Sequence, residues 1–291
     1  HRTHKPGVGG SNPPLATIIM KNLSMYCLTL NPDHLDLIKK INYIPVGLGK
    51  NQFSSDWVRD NSGLNITQKN SSYGEYTFHY WMWKNNLDKI KNEWIGFCQY
   101  RKFWVKENIH KKVTNLSDLN EVILKQIPED LLEYESIIGE PIFVNKFKFK
   151  KFVKRNFKKM ILSPSLFFNK KKRNLKFHFD FWHGDGNLEK AIKHLDPNDR
   201  SDFTDFMNNN TSFNPHNMFI CKSKEILEKY YENVFPWLSK CEDEFKTYDL
   251  TGYGMKRIYG FLAERYMSYW FQKNTKFKIF PIYFKDISDF I

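Results

Sequence analysis

Residues 94–98 read Trp-Ile-Gly-Phe-Cys, a run with no polar position, and Gln99, Tyr100, Arg101 and Lys102 follow it. Strands buried on both faces read as continuous apolar runs, whereas half-solvated strands alternate. The run therefore predicts an interior strand, and SMYCLTL at 24–30 predicts a second one. A chain built around such strands needs helices on both faces of the sheet. Cationic side chains then stand where the 94–98 strand reaches its carboxyl end, the place where open α/β sheets bind ligands.

The rest of the chain supplies the helices. YGEYTFHYWMWKN at 73–85 carries Tyr73, Tyr76, Tyr80 and Trp83 at spacings of three and four, the pattern of one buried helical face. Ser72 and Glu75 have the spacing of a capping box at its start. His79, inside this segment, reads as a packed core residue. Further helices are expected at 33–40, 117–126 (stopped by Pro128), 188–195, 198–206, 225–240 and 255–271. Strands are expected at 134–138, 141–144, 218–221 and 277–284. Residues 61–70 and 177–187 read as polar loops. Strand and helix alternate through most of the chain, and no internal repeat interrupts them. The expected architecture is α/β, with a mainly parallel central sheet and helices on both faces.

Charge is distributed unevenly. The chain has 45 Lys and Arg against 32 Asp and Glu, and residues 146–176 alone hold thirteen Lys or Arg and no acid. Residues 145–186 are expected to form a basic excursion from a single domain spanning 20–291. Such a block points to an anionic partner: nucleic acid, lipid head groups or a phosphorylated substrate. Its interleaved Phe147, Phe149, Phe152 and Phe157 also suit stacking on single-stranded nucleic acid. However, the chain contains no recognisable nucleic-acid module, so no nucleic-acid partner is expected. Cys27, Cys98, Cys221 and Cys241 form no CxxC pair and read as buried, reduced thiols. No run approaches the ~20 apolar residues of a membrane-spanning helix, and no signal peptide is apparent. A cytoplasmic protein is expected, peripheral on the inner face of the membrane through its basic block. Residues 1–19, rich in Gly and Pro without periodicity, read as a disordered or adventitious extension.

Six blocks resemble a bacterial family of capsular-polysaccharide glycosyltransferases, catalogued as domain of unknown function 4422. They are VGLG (46–49), DNSGLNI (60–66), YGEYTFHYWMWKN (73–85), IGFCQYRKF (95–103), NPHNMFIC (214–221) and RIYGFLAERY (257–266). The resemblance implies a GT-A-like nucleotide-sugar transferase fold, a nucleotide-sugar donor, and a saccharide or lipid-linked acceptor at the cell surface. Where the family usually has His-Tyr-Arg-Arg, this chain has Gln99-Tyr100-Arg101-Lys102. A role needing an imidazole there is lost, and one needing positive charge survives.

Candidate site residues fall in these blocks. Arg101 and Lys102, with Gln99 and Tyr100 beside them, could neutralise a diphosphate leaving group, or be surface charge at a strand end. Asp60, Asn61, Gly63 and Asn65 could contact a ribose or sugar hydroxyl, or form an ordinary Asx-turn loop. Glu264 is flanked by apolar residues, so it is either paired, with Arg257 and Arg265 in reach and Ser268 at i+4, or raised towards general-base range. Asn214, His216, His183 and Asp185 are candidates for acceptor or substrate contact, with a turn role open for His216. No Asp-x-Asp pair is present. Asp180, His183 and Asp185 are the nearest substitute ligands for a divalent cation such as Mn or Mg, and a solvated polar loop is the alternative. A transferase-like scaffold without activity is the remaining reading.

Overall fold

The two apolar runs lie side by side and parallel at the centre of a ten-stranded sheet. The computed structural model describes residues 21–106, 109, 112–146, 169, 172–246, 248 and 250–291. Its strands are β1 (Lys21–Thr29), β2 (Ile44–Gly47), β3 (Val58–Arg59), β4 (Trp94–Gln99), β5 (Lys102–Trp104), β6 (Gln126–Ile127), β7 (Ser136–Gly139), β8 (Ile142–Phe143), β9 (Ser212–Phe213), β10 (Phe219–Cys221), β11 (Phe277–Phe280) and β12 (Ile282–Phe284). The helices are α1 (Leu35–Lys40), α2 (Asn70–Tyr73), α3 (Tyr76–Trp81), α4 (Leu116–Val122), α5 (Leu175–His183), α6 (Asn187–Lys193), α7 (Pro197–Asn209), α8 (Lys224–Phe245), α9 (Tyr253–Lys256) and α10 (Ile258–Asn274).

Strand order is β11-β7-β10-β4-β1-β2-β3. Neighbours β4, β1, β2 and β3 run parallel, as do β11 and β7, and β10 is antiparallel to both of its neighbours. Every residue of β4 is buried, as its lack of alternation requires. Tyr26, Leu28, Ile95 and Phe97 face a core shared with α3, α8 and α10. Met25, Cys27, Trp94 and Cys98 face the opposite core, shared with α1 and α4. Helices therefore cover both faces. Fully burying a side chain such as Phe97 or Leu262 contributes about 1.5–3 kcal/mol, and the aromatic residues supply much of both cores. All four cysteines are buried free thiols, and no helix among the described residues is long and apolar enough to cross a membrane.

Several local expectations are corrected. The 73–85 segment is not one capped helix. Gly74 (φ 59°, ψ −131°) ends α2, Glu75 makes no side-chain cap to α3, and a π-helical turn follows at Met82–Asn86. Tyr73 and Tyr76 are buried, while Tyr80 and Trp83 are half-buried. Residues 177–187 are not a loop: α5 runs to His183, and Asn174 caps it by accepting from the Phe177 N–H. Its Leu175 and Phe179 are core residues, because apolar positions four apart outweigh the polar residues between them. Residues 147–168, 170 and 171 of the basic block lie outside the described residues. The last strand is two, β11 and β12, divided at Pro281, which has no N–H to donate. The last long helix is broken at Arg257 (φ −100°, ψ 21°) into α9 and α10.

Candidate active site

Parallel pairing of β1 and β4 sets Leu28 opposite Gln99, and the chain leaves both strands on the same edge of the sheet. Two adjoining cavities open there. The larger, about 200 Å³, is walled by Lys102, His216, Asn217, Tyr253, Phe261 and Glu264. The smaller, about 100 Å³, is walled by Leu28, Thr29, Leu30, Leu48, Asn70 and Tyr100. Glu75, Gln99, Arg101 and Arg257 line both. Three cations and two carboxylates thus surround a single cleft at the carboxyl ends of the strands.

Gln99 holds this wall together. Its Nε2 donates to Glu75 Oε1 (3.0 Å) and to the His216 carbonyl (2.9 Å), and its Oε1 accepts from Lys102 Nζ (2.9 Å). An amide can donate and accept at once; an imidazole could not make all three bonds. Burial lowers the Lys102 pKa, opposed by attraction to Glu75 and reinforced by repulsion from Arg101. Arg101 is exposed at the mouth, its guanidinium 5.5 Å from the centre of the Tyr100 ring.

Glu264 is paired. Oε2 accepts from Arg265 Nη1 and Oε1 from the His216 backbone N–H, both at 2.6 Å. Arg265 is 3 % exposed and lies 4.2 Å from the centre of the Phe213 ring. Glu264 therefore neutralises a buried cation and pins a turn. That turn is strained: His216 and Asn217 adopt φ of 82° and 53°, a left-handed conformation that costs non-glycine residues about 1–2 kcal/mol each. The His216 ring is pushed down to about 3, by burial first and by Lys102 and Arg101 second, so it is neutral near pH 7. Asn217 Oδ1 is buried without a hydrogen-bond partner, although its side chain lines the larger cavity.

Glu75 and Arg257 complete the cleft, and the sequence reasoning missed both as site residues. By spacing, Glu75 fits a helix cap and Arg257 a partner for Glu264. Instead Arg257 Nη2 approaches Glu75 Oε2 at 3.5 Å. Gly74 makes room for it, since a Cβ there would stand 2.3 Å from Arg257 Nη2. A lone acid in an otherwise aromatic and polar helix was the signal available for Glu75. Asn217 and Tyr253 also joined the site only through the fold.

The remaining candidates lie elsewhere in the structure. Asp60, Asn61, Gly63 and Asn65 line neither cavity. Asp60 is buried and accepts from Thr67 Oγ1 (2.8 Å). Asn65 closes an Asx turn to the Thr67 N–H (3.3 Å), and Asn61 is exposed. Asn85 clasps both backbone groups of Leu64, and a Cβ on Gly63 would collide with it at 2.0 Å. The Asx-turn reading of this loop accounts for these contacts. Asn214 is a core tie: it donates to the Gly139 carbonyl (2.5 Å) and accepts from Ser268 and Gln272. Ser268 therefore serves Asn214 rather than Glu264. His183 is buried against Phe261, with Nδ1 at 2.9 Å from the Gly254 carbonyl, and Asp180 pairs with Lys176 at 2.6 Å. Asp180 and His183 already have these partners, and among the described residues no group of three His, Cys, Asp or Glu could hold a metal ion. The residues expected to act as ligands do not fit a divalent cation.

Residues 26–275 match the profile of a protein family described as Domain of unknown function (DUF4422). Among solved structures, the chain is similar to one described as the WbbM bifunctional glycosyltransferase in its apo form, with a TM-score of 0.61 and 16% identity. The match covers 91% of this chain but 45% of that one, so this chain spans less than half the length of that protein. At this identity the likeness is one of fold, and the α/β sheet described above is accordingly GT-A-like. No curated protein sequence matches the chain.

Proposed function

The chain belongs to the DUF4422 family, and we propose that it is a glycosyltransferase moving a sugar from a nucleotide-sugar donor to a saccharide or lipid-linked acceptor of a capsular or other cell-surface polysaccharide. One observation carries the reading: Arg101, Lys102 and Arg257 converge on a cleft at the carboxyl ends of β1 and β4, in a fold shared with a glycosyltransferase. Diphosphate is the part of a nucleotide sugar that needs such a cluster. Arg offers it a planar fork of donors and Lys a point charge. Stabilising the charge that develops as the anomeric bond breaks is usually the largest catalytic contribution.

The two cavities divide the donor. The smaller has an apolar wall of Leu28, Leu30, Leu48 and Tyr100 suited to a nucleoside. The larger has His216, Asn217 and Glu264 in its wall, a polar lining suited to sugar hydroxyls. Glu264 serves as the positioning group that holds the His216 turn. No step is assigned to a metal. The basic block at 146–176, read from the sequence alone, would bring the enzyme to anionic lipid or a lipid diphosphate, at about 1 kcal/mol per Lys or Arg near the surface.

The test is a thermal-shift panel of UDP, GDP and dTDP and their hexose conjugates, with and without manganese. A ligand at 100 times its Kd adds roughly 2.7 kcal/mol to the folded state. Arg101→Ala, on an exposed side chain, should melt as wild type while losing that shift. Failure of every nucleotide to raise the melting temperature would refute the reading. Co-sedimentation with neutral and anionic vesicles at low salt tests the basic block, and equal binding to both would remove the membrane role.

A further inference from the structure

Two carboxylates face the cleft, and they are not equivalent. Glu264 reaches the larger cavity only, and both of its oxygens are taken by short bonds, one to the His216 N–H and one to the buried Arg265. To accept a proton it would have to abandon a buried guanidinium whose other contacts are neutral: the Phe261 carbonyl and His178 Nδ1, both at 3.3 Å, and three aromatic rings. Glu75 lines both cavities and so stands at their junction. There a donor with its nucleoside in one cavity and its sugar in the other must place the bond that breaks. Glu75 has one firm bond, from Gln99 Nε2 at 3.0 Å, and a long contact at 3.5 Å to Arg257. That arginine also lines both cavities and is partly exposed, so a diphosphate competes for it and leaves Glu75 Oε2 free.

We infer that Glu75 is the catalytic proton acceptor of this cleft, an assignment that rests on the transferase reading above. The acceptor hydroxyl gives its proton to Glu75 Oε2, and its oxygen forms a bond to the anomeric carbon. The bond from that carbon to the donor diphosphate breaks, and its electron pair leaves on the diphosphate oxygen beside Arg101, Lys102 and Arg257. Protonated Glu75 then returns its proton to solvent. Charge is conserved throughout, and direct displacement inverts the anomeric carbon. Gln99, fixed by three bonds, keeps Glu75 aimed while Arg257 moves.

The experiment measures nucleoside diphosphate release from UDP-, GDP- and dTDP-hexoses by the full chain, with water and a set of alkyl glycosides as acceptors. Glu75→Gln preserves an oxygen that can accept from Gln99. It should keep donor affinity within about threefold and melt as wild type, yet lose turnover by about 10²–10⁴-fold, the usual worth of a positioned base. Glu75→Asp, a shorter carboxylate, should recover part of that loss. Glu75→Gln turnover within threefold of wild type, with donor still bound, overturns the assignment and leaves the transferase reading standing. A parallel loss of donor affinity and turnover also overturns it, in favour of a donor-binding role. Absence of turnover by wild type with every donor overturns the transferase reading and this assignment together.

Discussion

Replacing Gly74 by alanine separates what this residue does for the fold from what it does for the cleft. Its backbone sits at φ 59°, ψ −131°, a region that side-chain-bearing residues avoid at a cost of about 1–3 kcal/mol. Alanine's smaller unfolded-state entropy recovers about 0.4–1 kcal/mol, leaving a net loss of about 1–2 kcal/mol. For a domain near this size each kcal/mol moves the melting temperature by about 2–4 °C, so a fall of about 2–8 °C is expected. The new Cβ would also lie 2.3 Å from Arg257 Nη2. That atom ends a flexible side chain with 31% of its surface exposed, so it swings away at little cost to stability. The site then loses one of three cations. Gly252→Ala is the control: φ there is 78°, but nothing lies within 4 Å of the added carbon. Scanning fluorimetry of both variants, with and without UDP, GDP and dTDP, makes the comparison. Both should melt lower, and Gly74→Ala alone should lose most of the nucleotide-induced shift. If Gly74→Ala melts as wild type, or if both variants lose the nucleotide response equally, the reasoning is wrong.

Glu264→Ala strands the buried Arg265 guanidinium. Breaking a buried pair from one side costs about 3–5 kcal/mol, to be read from the urea midpoint; a midpoint unchanged from wild type contradicts the pinning role. Burial lowers His79 to about 3 from its ordinary 6.5, so between those values the unfolded chain binds the extra proton. Stability is then full above pH 6.5 and falls as pH drops towards 3. At pH 5 this residue contributes a loss of about 2 kcal/mol, and His79→Gln should flatten the dependence of melting temperature on pH between 7 and 5. Asn217→Gly removes the side-chain amide from the wall of the larger cavity at a position (φ 53°) where glycine is unstrained. It should leave melting within about 2 °C while abolishing the extra thermal shift of a nucleotide sugar over its nucleoside diphosphate. An unchanged preference for the sugar conjugate would count against Asn217 as a sugar contact.

Much of the sheet was legible because burial on both faces leaves a local mark. The runs at 24–30 and 94–98 have no polar alternation, and both are interior strands. The same runs locate their carboxyl ends, and Arg101 and Lys102, which follow the second run directly, line the cleft there. Polar loops carry no such mark. Asp60, Asn65 and Asn214 have the residue types of a binding loop, but the same side chains can bond to their own backbone and core, and in the fold they contact Thr67, Ser268, Gln272 and Gly139 and line neither cavity. Glu75 shows the converse. Ser72 and Glu75 fit a cap by spacing, yet the glycine between them takes a conformation that separates the two helices and turns the carboxylate towards Gln99. Glu75, Gln99, His216 and Arg257 come from the residue before α3, from β4, from the turn before β10 and from the break between α9 and α10, up to 182 positions apart in the chain. Local sequence determined which segments had to be buried. Only the packing of those segments decided which charges were left facing one another across a cavity, because that outcome depends on strand order and on backbone breaks that no single stretch of the chain encodes.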